Sequence, residues 1–294
     1  MRIRNDGIDI LIDIKGYTIG DRITIMARRP CDIQVTWLGY PGTTGASFVD
    51  YLIADPIIIR PGEEATCVET VVRMPHCYQP NDRKRTIATP LSRAEYGLPE
   101  NETECGFVFC CFNQTYKITP DVFEVWMRLL QRVPGSVLWL VESGARARTH
   151  LLAVASAMGI TAGRIIFAPR MPYAQHLARY QVAGLALDTT PYTSHTTMSD
   201  ALWCGCPVVG LSDVQSNLFA ARVSGSILTA AGLPDLITGT LVEYEQRACE
   251  LALDPAKMHP LRSKLQLARA QAHLFNSIAF TRDLEQLYLG MLAG

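Results

Sequence analysis

From residue 106 to residue 224 the chain alternates short apolar runs with longer segments whose apolar residues recur every three or four positions. The runs at 106–112, 137–141, 164–168, 184–188 and 207–211 are continuous, as in strands covered on both faces. Between and after them the spacing predicts helices over 120–132, 146–158, 172–180, 197–204 and 217–224. Strands and helices alternating at these lengths predict an α/β fold, a parallel sheet wrapped by helices on both faces. Thr119-Pro120 supplies a side-chain acceptor followed by proline at the first helical position, so the first of these helices has a defined start. At the end of the chain Phe280, Leu284, Leu287, Tyr288 and Met291 share one stripe of a closing amphipathic helix.

The first hundred residues are less regular. Strand-like runs at 8–14, 33–37, 52–54 and 70–73 are separated by Gly- and Pro-rich turns and do not amount to a complete domain. Residues 79–104 carry three prolines, few large apolar side chains and clustered charge, which predicts a linker or surface excursion. The expected division is therefore an incomplete lobe at 1–78, a linker at 79–104 and a second lobe at 105–294.

The composition narrows the function classes. Hydrophobic residues make up 48% of the 294 and charged residues 19%, enough apolar material for a folded, soluble protein. Twenty-seven Lys and Arg against 28 Asp and Glu leave a net charge of −1, so nothing draws the whole chain to nucleic acid or an anionic membrane. The longest apolar stretches, 106–112 and 136–141, fall far short of the ~18–20 residues that cross a bilayer. Asp6, Asp9 and Asp13 interrupt any secretory signal, and a cytoplasmic location is expected. The nine cysteines show no CxxC pair or Cys/His ligand spacing and are expected to be reduced, mostly buried thiols.

In an open parallel sheet ligands bind beyond the C-terminal ends of the strands, and three loops there carry candidate chemistry. Asn113 to Lys117 precede the Thr119-Pro120 helix start, and Lys117 is either a phosphate ligand near that helix N-terminus or a solvated surface lysine. Residues 189–197 crowd six Ser and Thr hydroxyls and His195 at another helix N-terminus, which suits a diphosphate. Thr197-x-x-Asp200 also fits an ordinary capping box. Residues 169–176 bring Tyr173 and His176 near Arg179, either a planar-base site or a surface helix start. GxGxxG, GxxxxGK[ST], DxD and HExxH are all absent.

WLGYPGTTG at 37–45, with GYT at 16–18 and RP at 29–30 before it, is followed by FNQTYK at 112–117 and RVPGSVLWL at 132–140. LDTTPYTSHTT at 187–197 and DALWCGCPVV at 200–209 complete the series. Together these blocks resemble, in order, the catalytic region of the nucleocytoplasmic O-linked N-acetylglucosamine transferases and their bacterial relatives. The resemblance implies a GT-B architecture with a Rossmann-like C-lobe and a partial N-lobe. It also implies an inverting transfer of N-acetylglucosamine from UDP-GlcNAc to Ser or Thr hydroxyls of proteins, with no metal or other cofactor.

By motif position, Lys117 resembles the lysine that stabilises the UDP leaving group and Gln114 its phosphate-contacting partner. His195, Thr196 and Thr197 resemble the phosphate cradle, and Asp200 the acid that takes the ribose hydroxyls. Met171, through its backbone, His176 and Arg179 occupy uracil positions; Leu38, Gly39, Pro41 and Tyr116 match the sugar pocket. Tyr173 stands where animal members have lysine, and Tyr192 where they have a small cysteine, which narrows the pocket. His195 is missing from relatives that transfer fucose from GDP-fucose, so its presence favours GlcNAc. The resemblance also implies tetratricopeptide repeats and further N-lobe ahead of the segment that this chain begins with. A non-catalytic UDP-sugar-binding module is the alternative reading of the same residues.

Overall fold

Two all-parallel sheets organise the protein, in a computed structural model that describes residues 2–100, 106–212 and 216–293. The first holds β1 (Ile10–Asp13), β2 (Ile33–Thr36), β3 (Tyr51–Ala54) and β4 (Thr70–Arg73) in that order, with the one-turn helices α1 (Arg2–Asn5) and α2 (Ile23–Met26) beside it. The second holds β5 (Val108–Cys111), β6 (Val137–Val141), β7 (Ile165–Ala168), β8 (Leu185–Leu187), β9 (Val208–Leu211) and β10 (Ile237–Thr238) in the order β10-β9-β8-β5-β6-β7.

The apolar runs became strands because both faces of the second sheet are covered: all four residues of β5 are buried, as are those of β9. The covering helices are α3 (Pro120–Arg132), α4 (Ala145–Ala157), α5 (Tyr173–Arg179), α6 (Thr196–Trp203), α7 (Phe219–Ala230), α8 (Leu241–Leu253), α9 (Pro255–Gln271) and α10 (Ser277–Ala293). Thr119 caps α3 as its position predicts, its hydroxyl accepting from the Val122 N–H, and Pro120 opens the helix. The α/β expectation holds.

Besides the one-turn helices α1 and α2, three elements lie where the apolar pattern suggests none: β10, α8 and α9. Helix α9 buries only Met258, Leu265 and Ala268 and carries Pro260 inside it, so its sequence shows little periodicity and a helix-breaking signal. Helix α7 runs on to Ala230, past the expected end at 224.

The closing helix α10 packs on the first sheet and not on the second. Its Phe280, Leu284, Leu287, Tyr288 and Met291 cover Val35, Ile53 and Met74, and Phe280 stacks on Trp37 with ring centres 6.1 Å apart. Polar bonds join the sheets as well. Asp55 after β3 is buried and accepts from Ser226 of α7 at 2.6 Å, while Arg222 of α7 pairs with Glu63 and holds its carboxyl down at about 2.

Residues 79–100 contain no helix or strand but are more than a surface excursion: Gln79, Asn81 and Leu98 are buried, and Tyr96 packs against Trp139. The last expected linker positions, 101–104, lie outside the described residues, as does Cys105. The eight described cysteines are unpaired thiols, seven buried and Cys67 partly exposed. Among the described residues no helix is long and apolar enough to cross a membrane.

Candidate functional site

Strand order in the second sheet reverses at β5 and β8, which pair directly through Phe109↔Leu185 and Cys110↔Ala186. The loops leaving these two strands therefore diverge over a crevice at the C-terminal sheet edge, where open α/β sheets bind ligands. Asn113 bridges them. Its amide donates to Thr189 Oγ1 at 3.0 Å and Ser194 Oγ at 2.6 Å, and its carbonyl accepts from Thr197 Oγ1 at 2.5 Å.

Asp188, buried at the end of β8, holds the second loop from below. One carboxylate oxygen accepts from the N–H groups of Thr189 at 2.8 Å and Ser194 at 2.7 Å, and the other from the Ser224 hydroxyl. Burial raises the carboxyl above its usual range against these hydrogen bonds. The loop is thus held at both ends.

Lys117 ends a single 3-10 turn, Thr115–Lys117. Its ammonium donates to the Thr193 carbonyl at 2.9 Å and lies 3.9 Å from the centre of the Tyr192 ring. Burial brings it down to about 8, opposed by the nearby Asp188 carboxylate. His195 stacks on the other partner of this group, its ring 5.3 Å from that of Tyr192 and 22° from parallel. Burial, with the Lys117 charge adding, pushes His195 down to about 3, so the imidazole is neutral near pH 7. Its Nε2 is buried and has no hydrogen-bond partner among the described residues.

The capping-box alternative for Thr197-x-x-Asp200 does not hold. His195 is the N-cap of α6 and no side chain caps the helix. The Thr197 hydroxyl is taken by Asn113, while Asp200 accepts from Arg85 at 2.6 Å and from the Tyr173 hydroxyl at 2.7 Å. Burial raises Asp200, and burial with the Asp200 contact raises Tyr173 to about 12. In the first turn of α6 the Met198 N–H donates to the His195 carbonyl at 3.0 Å, while the exposed Thr196 and its neighbour Thr197 carry first-turn amides with no side-chain cap.

Helix α5 does start at the surface, with Tyr173 and Gln175 exposed, but its last residues Leu177, Ala178 and Arg179 are buried. The Arg179 guanidinium donates to the Pro169 carbonyl at 3.0 Å, contacts His176 Nδ1 and lies 4.1 Å from the Phe112 ring centre. Burial, then the Arg179 charge, lower His176 to about 4.

Across the crevice stands the loop after β2. Leu38 adopts φ 77°, and a side chain on Gly39 would meet the Ile14 carbonyl oxygen at 1.9 Å, so this glycine is required for the close approach. Thr43 and Thr44 of the same loop donate to Glu69, which anchors it to the first sheet. Leu38, Gly39, Gln79, Arg85, Tyr173, His195 and Thr196 line a cleft of about 490 Å³ between the two sheets.

Of the candidate residues, Leu38, Gly39, His195 and Thr196 line this cleft; Thr197, Asp200 and Lys117 do not line it, though Asp200 bonds Arg85 and Tyr173, which do. Gln114 is solvent-exposed, Tyr116 is 75% exposed with its edge on Tyr192, and Pro41 and Met171 are half-buried outside the cleft lining. Sequence reasoning missed Asn113, Asp188 and Arg85. A polar residue directly after a buried strand is the one signal that the first two carry; Arg85, inside the charged run at 82–85, carries none. Among the described residues no group of three or more His, Cys, Asp or Glu is arranged to hold a metal ion.

The model of glycosyl transferase family 41 matches residues 1–89 and 81–284. The probable UDP-N-acetylglucosamine–peptide N-acetylglucosaminyltransferase SEC of Arabidopsis thaliana is 38% identical over 98% of this chain and 30% of its own length. The corresponding probable enzyme SPINDLY of Solanum lycopersicum is 33% identical over the same shares. A solved mutant O-GlcNAc transferase from Thermobaculum terrenum superposes with a TM-score of 0.85 and 32% identity, over 99% of this chain and 54% of that one. A pneumococcal O-GlcNAc transferase solved with UDP and GlcNAc shares the fold, with a TM-score of 0.55 and 11% identity. The chain spans under a third of the length of these curated relatives. With matches running along nearly its whole length, the chain belongs to glycosyl transferase family 41.

Proposed function

We propose that this chain is the nucleotide-sugar-binding part of an inverting transferase that moves N-acetylglucosamine from UDP-GlcNAc to Ser or Thr hydroxyls of a protein. The observation that carries the reading is the conjunction, at the β5/β8 switch point, of a partly buried lysine, a neutral histidine whose Nε2 has no partner among the described residues and a helix N-terminus without a side-chain cap. Each of these suits a diphosphate.

In transfer, the acceptor oxygen bonds to the anomeric carbon and gives up its hydroxyl proton to water or the departing UDP as the bond from that carbon to the β-phosphate oxygen breaks. Negative charge then grows on UDP. Lys117 meets that charge, and because it is fixed by Thr193 and Tyr192 it gains more interaction in the transition state than in the ground state. His195 contributes a hydrogen bond and not a charge, since burial keeps it neutral. Thr196 and Thr197 offer the first-turn amides of α6, with Gln114 at the rim. Asp200 takes the ribose hydroxyls, a role that suits a carboxylate's acceptor oxygens.

His176 and the Met171 backbone face uracil, and Arg179 acts through the Pro169 carbonyl by bracing that turn. Leu38, Gly39, Pro41 and Tyr116 shape the sugar pocket. The division at 1–78, 79–104 and 105–294 accompanies this reading, with the qualification that α10 serves the first sheet. A cytoplasmic location and a protein acceptor belong to the same proposal.

Calorimetric titration with UDP, with and without EDTA, is the test. Binding that survives chelator supports charge neutralisation by Lys117 and α6, and binding lost in EDTA defeats it.

A further inference from the structure

We propose that Arg85, from the segment joining the two sheets, is a positioning residue for donor recognition that orients the Asp200 carboxylate toward the ribose hydroxyls of a uridine nucleotide. The inference rests on the UDP reading above and assigns a role to a residue that the motifs pass over.

Arg85 and Asp200 are 115 residues apart and form an ion pair at 2.6 Å, with side chains 6% and 4% exposed. A surface ion pair is worth little, but a buried carboxylate stays charged only where a counter-charge offsets its lost hydration. Arg85 is itself built in. Its Nε donates to the Asp82 carbonyl at 3.0 Å, the Trp203 indole donates to its carbonyl at 3.2 Å, and its guanidinium lies 5.1 Å and 5.5 Å from the ring centres of Trp203 and Phe275. Its Nη2 is buried without a partner beside the cleft that Arg85 lines.

The bonds to Asp200 are one-sided. Arg85 and Tyr173 both donate to Oδ1, and among the described residues no hydrogen bond reaches Oδ2. One oxygen is therefore tethered while the other keeps its acceptor capacity for a hydroxyl. Losing the guanidinium leaves Oδ1 held by the Tyr173 hydroxyl alone and lets the buried group take a proton, which turns an acceptor into a donor. A segment that sequence alone reads as a linker thus supplies part of the ribose site.

The test titrates UDP and 2′,3′-dideoxy-UDP into the full chain and into Arg85→Gln and Arg85→Lys, with melting temperatures recorded for each. The unmodified chain is expected to prefer UDP by at least about tenfold, the worth of a charge-assisted hydrogen bond. In Arg85→Gln the preference falls below about threefold while affinity for the dideoxy nucleotide stays within about twofold, and Arg85→Lys recovers part of it. If Arg85→Gln does not fold, Arg85→Lys carries the test by lowering the preference about threefold. An unchanged preference in the variants, equal loss of both nucleotides, or equal binding of both by the unmodified chain overturns the role of Arg85 and leaves UDP binding standing. A chain that binds neither nucleotide overturns the UDP reading itself.

Discussion

The Lys117 ammonium sits 3.9 Å from the centre of the Tyr192 ring, and His195 stacks on the same ring, so one tyrosine holds both groups in a single file. This arrangement keeps a cation partly desolvated with no ion pair among the described residues for a ligand to displace, the Asp188 carboxylate acting on it only from longer range. A phosphate arriving here gains a fixed, poorly hydrated charge.

The first consequence is a pH dependence of UDP affinity. Burial leaves Lys117 protonated below about 8 and neutral above it, and only the charged form attracts a diphosphate. Affinity should be level from pH 6.5 to 7.5 and fall above pH 8, by up to about tenfold per pH unit. Lys117→Met should bind more weakly and lose that alkaline fall. Calorimetry across pH 6.5–9.5 checks it; an equal alkaline fall in Lys117→Met assigns the titration to another group.

A second consequence concerns acid stability. His195 is held down at about 3 and His176 at about 4, both below the ordinary imidazole value, so the unfolded chain binds protons that the folded one refuses. Their destabilising effect is absent above about pH 6.5 and grows as pH falls toward the folded values, by up to about 1.4 kcal/mol per pH unit for each histidine. The double variant His176→Gln, His195→Gln should show a shallower loss between pH 6.5 and 5. Urea unfolding midpoints at each pH provide the measurement, and parallel curves for the two proteins would contradict it.

Gly39→Ala should be destabilising by about 2 kcal/mol or more, because its new methyl lands on the Ile14 carbonyl and backbone cannot yield as a flexible side chain can. Gly45→Ala serves as the comparison: its φ of 64° is strained for alanine, but open space surrounds the added methyl. Thermal denaturation should rank Gly39→Ala well below Gly45→Ala. Equal losses would mean that the contact with the Ile14 carbonyl costs no more than the backbone strain at Gly45.

Much of this protein was legible in the sequence where local rules decide. Helix α3 runs over the residues its periodicity predicts, and β6 matches its apolar run. Lys117, His195 and Thr196 were legible as candidates because polar residues clustered immediately after strand-like runs, where parallel sheets present their loops. Helix α9 was not legible, since its few buried residues and internal Pro260 hide the period.

What the sequence by itself determined was the series of elements and the loops that could carry chemistry, because helix and strand periods and caps arise from neighbours within a few residues of each other. Tertiary structure alone decided that α10 covers the first sheet, that Asn113 reaches Thr189 and Ser194 of one loop 76 and 81 residues away, and that Arg85 meets Asp200. The capping box shows why. Thr197 and Asp200 satisfy a local pattern, yet Asn113, Arg85 and Tyr173 offer each of them a partner from elsewhere in the chain. Once water is excluded, a buried polar group must take the partners that the packed fold brings to it, and the spacing of residues along a chain does not specify which those are.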